Sequence, residues 1–278
     1  MVFTKMQCCG NDYIYVDTRV HPVPFPEKEA VFLCDRHRGI GADGLVLICE
    51  SGSDDYRMRI FDPDGTEAEF CGNALRSSAY LVYLFSGRKK NALSVETAGG
   101  QKRVYFPAFC DGKGILCDVG MPEVGFIEKE ILLDDTEVKM TSLSFGNPHC
   151  VIFTEALTDE VFARLGAFAE KHPLFPERTN VEFVTVQSRD RLLLRTWERG
   201  CGETLSCASG SAAACAAAVL TGKAERKVWV GQGAGDLLIE WKEDGSVFVT
   251  GDTEIVFTGE IDLPEMSDTE RKNGHEAE

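Results

Sequence analysis

Two short segments, Cys71-Gly72-Asn73-Ala74 and Cys207-Ala208-Ser209-Gly210, each place a cysteine directly before a run of small residues, and they lie 136 positions apart. The surrounding sequence repeats at the same offset. A Gly-Asn pair precedes each cysteine, at 10–11 and 146–147, and a glutamate lies four residues before each, at 67 and 203. Self-similarity at a fixed spacing indicates a duplicated structural unit. We therefore predict two copies of one unit that face each other, each contributing one thiol to a shared pocket.

Secondary-structure signals follow the same order in both copies. Short apolar or alternating runs predict strands, a turn-rich loop comes next, and a helix begins at the cysteine. The predicted strands are Tyr13–Val16, Leu45–Ile48 and Arg57–Phe61 in the first copy, and Cys150–Phe153, Val181–Val186 and Leu192–Trp197 in the second. The predicted loops are 62–65 and 198–200, the helices 72–85 and 208–220, and the strand-turn-strand segments 95–106 and 230–241.

Both predicted helices lack a clear polar face, and a helix that is apolar all round is buried on every side. Strands must then surround each helix. We predict an α+β fold of two pseudo-symmetric halves, each a curled, barrel-like mixed β-sheet around a central buried helix. Residues 1–120 form the half that carries Cys71, with 260–278 as a candidate last strand returning to it. Residues 121–259 form the half that carries Cys207.

Composition narrows the classes of partner. The formal net charge of −16 argues against a nucleic acid or an anionic membrane as partner, since both need a cationic surface. The chain shows no signal-peptide pattern and no apolar run long enough to span a membrane. Its eleven cysteines include no CxxC pair, which disfavours a metal site. These features predict a cytoplasmic protein with reduced thiols and no bound metal.

A cysteine at a helix N-terminus has a defined chemistry. The unpaired backbone N–H groups and the helix dipole stabilise an anion there, so the pKa of a thiol in this position can be lowered, although the sequence does not give the pKa of either thiol. The same N–H groups can bind a carboxylate. If both helix ends held one carboxylate, the adjacent carbon would lie between two sulfurs. One thiolate could then remove a proton from this carbon while the opposite thiol donates one to the other face, without a cofactor.

Several long motifs in order resemble the diaminopimelate epimerase family. They are Gly10-Asn11-Asp12-Tyr13, residues 39–44 (GIGADG), residues 64–73 (DGTEAEFCGN), Gly146-Asn147-Pro148-His149, Thr179-Asn180-Val181 and residues 198–207 (ERGCGETLSC). The resemblance implies a cofactor-independent epimerase that interconverts LL- and meso-diaminopimelate in lysine and peptidoglycan-precursor synthesis. It also implies that the protein is a homodimer and that its ligand is a small-molecule amino-acid substrate.

The same resemblance implies roles for individual residues. Cys71 and Cys207 would be the acid/base thiols, with His149 and Glu198 assisting proton transfer. The residues implied in substrate binding are Asn11, Asp62, Gly72, Asn73, Asn147, Asn180, Glu198, Arg199, Ala208 and Ser209.

Other readings remain open from the sequence. Asp62 stands where asparagine is usual in the family, and a distal carboxylate would suit a cationic substrate. The alternative function is therefore a related racemase of a basic amino acid such as histidine, lysine or ornithine. A thiol-disulfide or metal-binding protein is disfavoured by the cysteine spacing, and a non-enzymatic carboxylate-binding module is disfavoured by the paired thiols.

Overall fold

The computed structural model of the chain describes residues 1–133 and 136–263. The first copy contains β1 to β8 with helices α1 and α2. Their bounds are β1 Val2–Cys8, β2 Asn11–Asp17, α1 Pro26–Cys34, β3 Gly44–Cys49, β4 Tyr56–Phe61, β5 Glu67–Ala68, α2 Gly72–Phe85, β6 Ala92–Thr97, β7 Gly100–Tyr105 and β8 Ile115–Gly120.

The rest of the described chain contains β9 to β18 with α3 and α4. Their bounds are β9 Glu123–Leu133, β10 Thr136–Ser144, β11 Pro148–Phe153, α3 Asp159–Glu170, β12 Asn180–Ser188, β13 Arg191–Glu198, β14 Gly202–Thr204, α4 Ala208–Leu220, β15 Lys227–Gln232, β16 Gly235–Trp241, β17 Val247–Gly251 and β18 Glu254–Glu260.

The duplication extends to strand register. β2 and β3 are parallel, with Tyr13 opposite Gly44, and β11 and β12 are parallel, with His149 opposite Asn180. Both members of each pair are shifted by the same 136 positions. The β4–β6 and β13–β15 pairings are also parallel and lie in equivalent places. The predicted α+β fold with curled mixed sheets is therefore confirmed.

Helices α2 and α4 lie inside these sheets, as predicted. Most of α2 is buried, including its charged residue Arg76, and α4 is buried from Ala208 through Ala218. The alanines of α4 let strands approach closely, because each side chain is a single methyl group. One cluster of buried side chains includes residues of both helices and so joins the two copies in a common core.

The two copies also exchange strands. β8, the last strand of the first copy, pairs antiparallel with β17 of the second copy. β18 then pairs with β1 of the first copy, and this contact extends to Ile261, whose N–H donates to the carbonyl of Met1. The strand returning to the first half thus begins at Glu254, earlier than the candidate segment 260–278, of which 264–278 lie outside the described residues. The division at Met121 stays a prediction.

One predicted loop begins later than expected. β13 continues through Glu198, which pairs with Gly202 of β14, so the predicted loop 198–200 starts at Arg199. Within the described residues, no helix is long and apolar enough to cross a membrane.

Candidate active site

The N-termini of α2 and α4 meet at the centre of the molecule. Cys71 and Cys207 are the N-cap residues, both with extended backbones (φ −141° and −130°). A methyl group on Gly72 would lie only 2.8 Å from the Cβ of Ala208, so the first turns of the two helices are in contact. Both cysteines line one cavity of about 850 Å³. The sequence prediction that two helix-capping thiols share a pocket is therefore matched by the geometry.

The repeated glutamates hold the segments that lead into the helices. Glu67 forms an ion pair with Arg59 at 2.7 Å, and Glu203 forms one with Arg195 at the same distance. In both copies the arginine lies on the strand that pairs with the glutamate's own short strand. These equivalent contacts fix the hairpin just before each cysteine.

The hydrogen-bond partners of Cys71 are neutral polar groups. The Tyr13 hydroxyl donates a hydrogen bond to Cys71 Sγ at 3.4 Å, and Asn11 Oδ1 lies 3.7 Å from the sulfur as an acceptor. Asn73 Nδ2 donates to the same Asn11 oxygen at 3.3 Å. Asn11 in turn donates to Asp43 at 2.9 Å, so its carboxamide is held from both ends.

Cys207 has a more acidic environment. The Glu198 carboxylate raises the pKa of its thiol, and this carboxylate accepts a hydrogen bond from the Thr204 hydroxyl at 2.6 Å. Ser209 Oγ lies 3.5 Å from the sulfur, and the Gly210 N–H donates to it at 3.3 Å. The backbone N–H of Cys207 is bound by Gln232 at 2.7 Å.

The helix N-termini do not produce a net lowering of the pKa of either thiol. Burial raises the pKa of Cys71, although the Ala74 N–H and the Tyr13 hydroxyl oppose the rise. Burial raises the pKa of Cys207 well above its usual value, and Glu198 adds to the rise. Removal of both sulfurs from water therefore outweighs the helix ends, since desolvation disfavours a thiolate.

His149 lies behind the cavity wall. It is fully buried, and the cavity is lined by its neighbour Asn147 instead. The imidazole contacts Asn147 Oδ1 at 3.0 Å and Glu182 Oε1 at 2.8 Å. Glu182 is also fully buried, and its second oxygen has no partner among the described residues. His149 therefore does not line the cavity itself and contacts it only through its hydrogen bond to Asn147.

The distal wall holds the remaining predicted polar residues. The Asn180 side chain accepts from the Arg199 N–H at 3.0 Å and donates to the carbonyl of Pro148, so it fixes the Arg199 backbone. Burial raises the pKa of Asp62, and the neighbouring Asp64 raises it further. Apart from His149, every predicted site residue lines the cavity: Cys71, Cys207, Glu198, Asn11, Asp62, Gly72, Asn73, Asn147, Asn180, Arg199, Ala208 and Ser209.

Sequence reasoning missed three polar contacts. Tyr13 was noted as part of a strand and of the motif at 10–13 but was given no role, although it stands 136 positions before His149. Glu182 alternates with apolar neighbours and gave no signal of a buried carboxylate. Ser206 accepts from Asn73 at 3.4 Å and from Gln232 at 3.3 Å, a contact that joins the two copies and that only tertiary structure reveals.

The arrangement can bind a carboxylate and places two thiols, each able to give or take a proton, in the same cavity. The backbone N–H groups of the first helical turns belong to Gly72, Asn73, Ala208 and Ser209. They have no acceptor within their own helices, because no helical turn precedes them to supply a carbonyl. Two helix N-termini in contact offer a strong site for one anion. Within the described residues, no cluster of His, Cys, Asp or Glu is placed to hold a metal ion, and all eleven cysteines are free.

Comparison with known proteins places these features in one family. The pattern of the family described as Diaminopimelate epimerase matches residues 3–111 and 141–256. Proteins of that name from Acetivibrio thermocellus and Methanococcus maripaludis are 44% and 41% identical. The matches cover 96% and 95% of this chain and 100% of each relative.

Solved structures of more distant proteins share the fold. A probable proline racemase from Agrobacterium radiobacter has a TM-score of 0.73 at 14% identity, covering 95% of this chain and 93% of that chain. A hydroxyproline epimerase from Agrobacterium vitis has a TM-score of 0.71 at 15% identity, covering 93% and 91%. At these identities the likeness concerns the fold alone.

Proposed function

The chain belongs to the diaminopimelate epimerase family and is an isomerase, and we propose that it interconverts LL- and meso-diaminopimelate through Cys71 and Cys207. The observation that carries this proposal is the contact between two helix N-termini, each capped by a cysteine of the same cavity. The names of the relatives support diaminopimelate as the substrate. Its biosynthetic setting would be lysine and peptidoglycan-precursor synthesis.

Substrate binding would begin with the reacting carboxylate. The N–H groups of Gly72, Asn73, Ala208 and Ser209 would hold it between the helix ends, with its α-carbon between the two sulfurs. The distal amino acid group would lie among Asn11, Asp62, Asn147, Asn180 and Arg199, whose side chains or loops line the other end of the cavity.

The chemical step would transfer one proton in and one proton out. The thiolate on one face takes the α-proton and becomes a thiol, while the C–H electron pair moves into the carboxylate to give an enediolate. The helix ends stabilise this added charge, because their N–H groups already point at the oxygens. The opposite thiol then donates its proton to the other face of the carbon, and the configuration is inverted.

Glu198 and His149 would support the Cys207 side. The Glu198 carboxylate, held by the Thr204 hydroxyl, faces Cys207 and would favour its protonated form. His149 holds Asn147, whose amide donates to Ser209 at 3.4 Å in the first turn of α4. We propose that this chain of contacts positions the carboxylate site, and that no cofactor takes part because thiols and helix ends supply acid, base and charge stabilisation.

Deuterium incorporation in D2O tests the substrate. The purified protein is incubated with LL-diaminopimelate, meso-diaminopimelate, lysine, ornithine and histidine, and α-deuterium is followed by NMR. We expect exchange and epimerisation with the diaminopimelates. Exchange with a basic amino acid but not with diaminopimelate would contradict the proposal and favour the reading that Asp62 binds a cation.

Two further properties are proposed from family membership. We expect a homodimer, which light scattering after size-exclusion chromatography would measure. We also expect the protein in the cytoplasm, where its thiols stay reduced. A monomeric mass in solution would contradict the first expectation.

A further inference from the structure

The two thiols occupy equivalent positions but have different neighbours. Tyr13 and His149 stand 136 positions apart on equivalent strands, each opposite an equivalent residue of the next parallel strand. The Tyr13 hydroxyl oxygen lies 3.4 Å from Cys71 Sγ and donates a hydrogen bond to it. The two ring nitrogens of His149 instead form hydrogen bonds with Asn147 and Glu182. The duplication therefore gives one sulfur a phenol donor that the other lacks at the matching position.

This difference affects which sulfur carries a negative charge. A donor to the sulfur favours the thiolate, whereas an adjacent carboxylate disfavours it. Cys71 Sγ receives the Tyr13 O–H at 3.4 Å, and this donor lowers its pKa. Cys207 receives the Gly210 N–H at 3.3 Å and lies 3.5 Å from Ser209 Oγ, but burial and the facing carboxylates of Glu198 and Glu182 still raise its pKa well above the usual value.

Other groups around Cys71 do not reverse the difference. Glu198 also faces Cys71 and raises its pKa, but this effect is smaller than those of burial, Ala74 and Tyr13. Asn11 Oδ1 favours the protonated thiol, although at 3.7 Å the contact is long. Burial raises the pKa of Tyr13 well above its usual range, so its hydroxyl keeps the proton that it donates.

We propose that the Tyr13 hydroxyl makes Cys71 the resting base of the pair and leaves Cys207 as the resting acid. This inference rests on the proposed two-thiol function and adds Tyr13 as a residue that touches a reacting atom. Substrate of one configuration would then meet the sulfur that ionises more readily, while substrate of the other configuration would need the less readily ionised Cys207 as its base.

Alkylation by iodoacetamide across a pH series tests the assignment without substrate. Peptide mass spectrometry follows Cys71 and Cys207 separately, and the midpoint of each rate profile reports the thiolate. We expect a lower midpoint for Cys71 than for Cys207 in the wild-type protein. Tyr13→Phe should raise the Cys71 midpoint by about one pH unit, the size of a hydrogen bond to a charged group, and leave that of Cys207 unchanged.

Tyr56→Phe is the matched control. Tyr56 is also buried, and its hydroxyl forms a hydrogen bond with Ser78 at 2.8 Å. We expect this variant to leave both midpoints in place. The acid limb of the kcat/KM profile should move upward in Tyr13→Phe alone, with KM for diaminopimelate unchanged.

A wild-type Cys207 midpoint at or below that of Cys71 would overturn the assignment, whether or not the variants fold. An unchanged Cys71 midpoint in folded Tyr13→Phe would also overturn it. Glu198→Gln provides a second variant, in which the Cys207 midpoint should fall more than that of Cys71. If the midpoints behave as expected but diaminopimelate is not epimerised, the proposed function fails while the order of the thiols stands.

Discussion

Asp62 is the cavity residue whose charge conflicts most directly with the proposed substrate. An ionised Asp62 would repel the distal carboxylate of diaminopimelate, whereas a protonated Asp62 could donate a hydrogen bond to it. Burial and the neighbouring Asp64 both raise the pKa of Asp62, so they favour the protonated form. Substrate affinity should therefore depend on the protonation of this one side chain.

We expect KM for diaminopimelate to rise as the pH increases through the pKa of Asp62, which lies above its usual value. Asp62→Asn should remove this rise and lower KM at pH 8 by about threefold to tenfold, the effect of deleting one partly screened like-charge contact. Steady-state kinetics across a pH series measures it, and kcat should change less than KM.

Asp64→Asn is the control for this residue. Asp64 is exposed, and the Thr66 hydroxyl and N–H lower its pKa, so it is charged under the assay conditions. Its removal should move the rise in KM to lower pH without abolishing it. A higher KM in Asp62→Asn than in the wild type would show that the carboxylate attracts substrate and would contradict this account.

At the scale of elements, the contact between α2 and α4 sets the spacing of the two thiols. A methyl group at residue 72 would lie 2.8 Å from Ala208 Cβ, so Gly72→Ala should push the helix N-termini apart. We expect kcat to fall at least tenfold, with a loss of about 1–3 kcal/mol in the free energy of unfolding, typical of overpacking. Kinetics and thermal unfolding measure the two effects.

Two further variants test whether the loss of kcat comes from the changed distance between the helix N-termini or from any glycine-to-alanine substitution. Gly52→Ala adds a methyl group where nothing lies within 4 Å and should leave both quantities unchanged. Combining Gly72→Ala with Ala208→Gly moves the methyl group to the other helix and should restore much of kcat. If the double variant is no more active than Gly72→Ala alone, the helix contact does not control the reaction.

Elements with strong local signals could be predicted from the sequence. The bounds of α2 and α4 match their predicted ranges, because each apolar run starts at a cysteine and small residues and ends at a turn. β9 and β18 were missed, since most of their side chains are exposed, and β18 also pairs with β1 from the other end of the chain. The raised thiol pKa values could not be predicted either, because burial depends on elements from both copies.

At the scale of the whole molecule, strand exchange should make the two copies unfold together. β18 completes the first copy by pairing with β1, and β8 pairs with β17 across the copies. The chain contains matched probes, because all six tyrosines lie before residue 121 and all three tryptophans lie after it. We expect tyrosine second-derivative absorbance and tryptophan fluorescence to give one Tm, as a two-state transition requires. Two separated midpoints would show independent halves.

The central claim is that two sulfurs face one carbon from opposite sides. Single variants Cys71→Ala and Cys207→Ala, incubated in D2O with each pure stereoisomer and followed by NMR, test it most directly. We predict that both variants lose epimerisation by at least a hundredfold, and that each retained thiol exchanges the α-proton of one stereoisomer only, the opposite one in each variant. Epimerisation near the wild-type rate in either variant, or exchange of the same stereoisomer by both, would contradict the account.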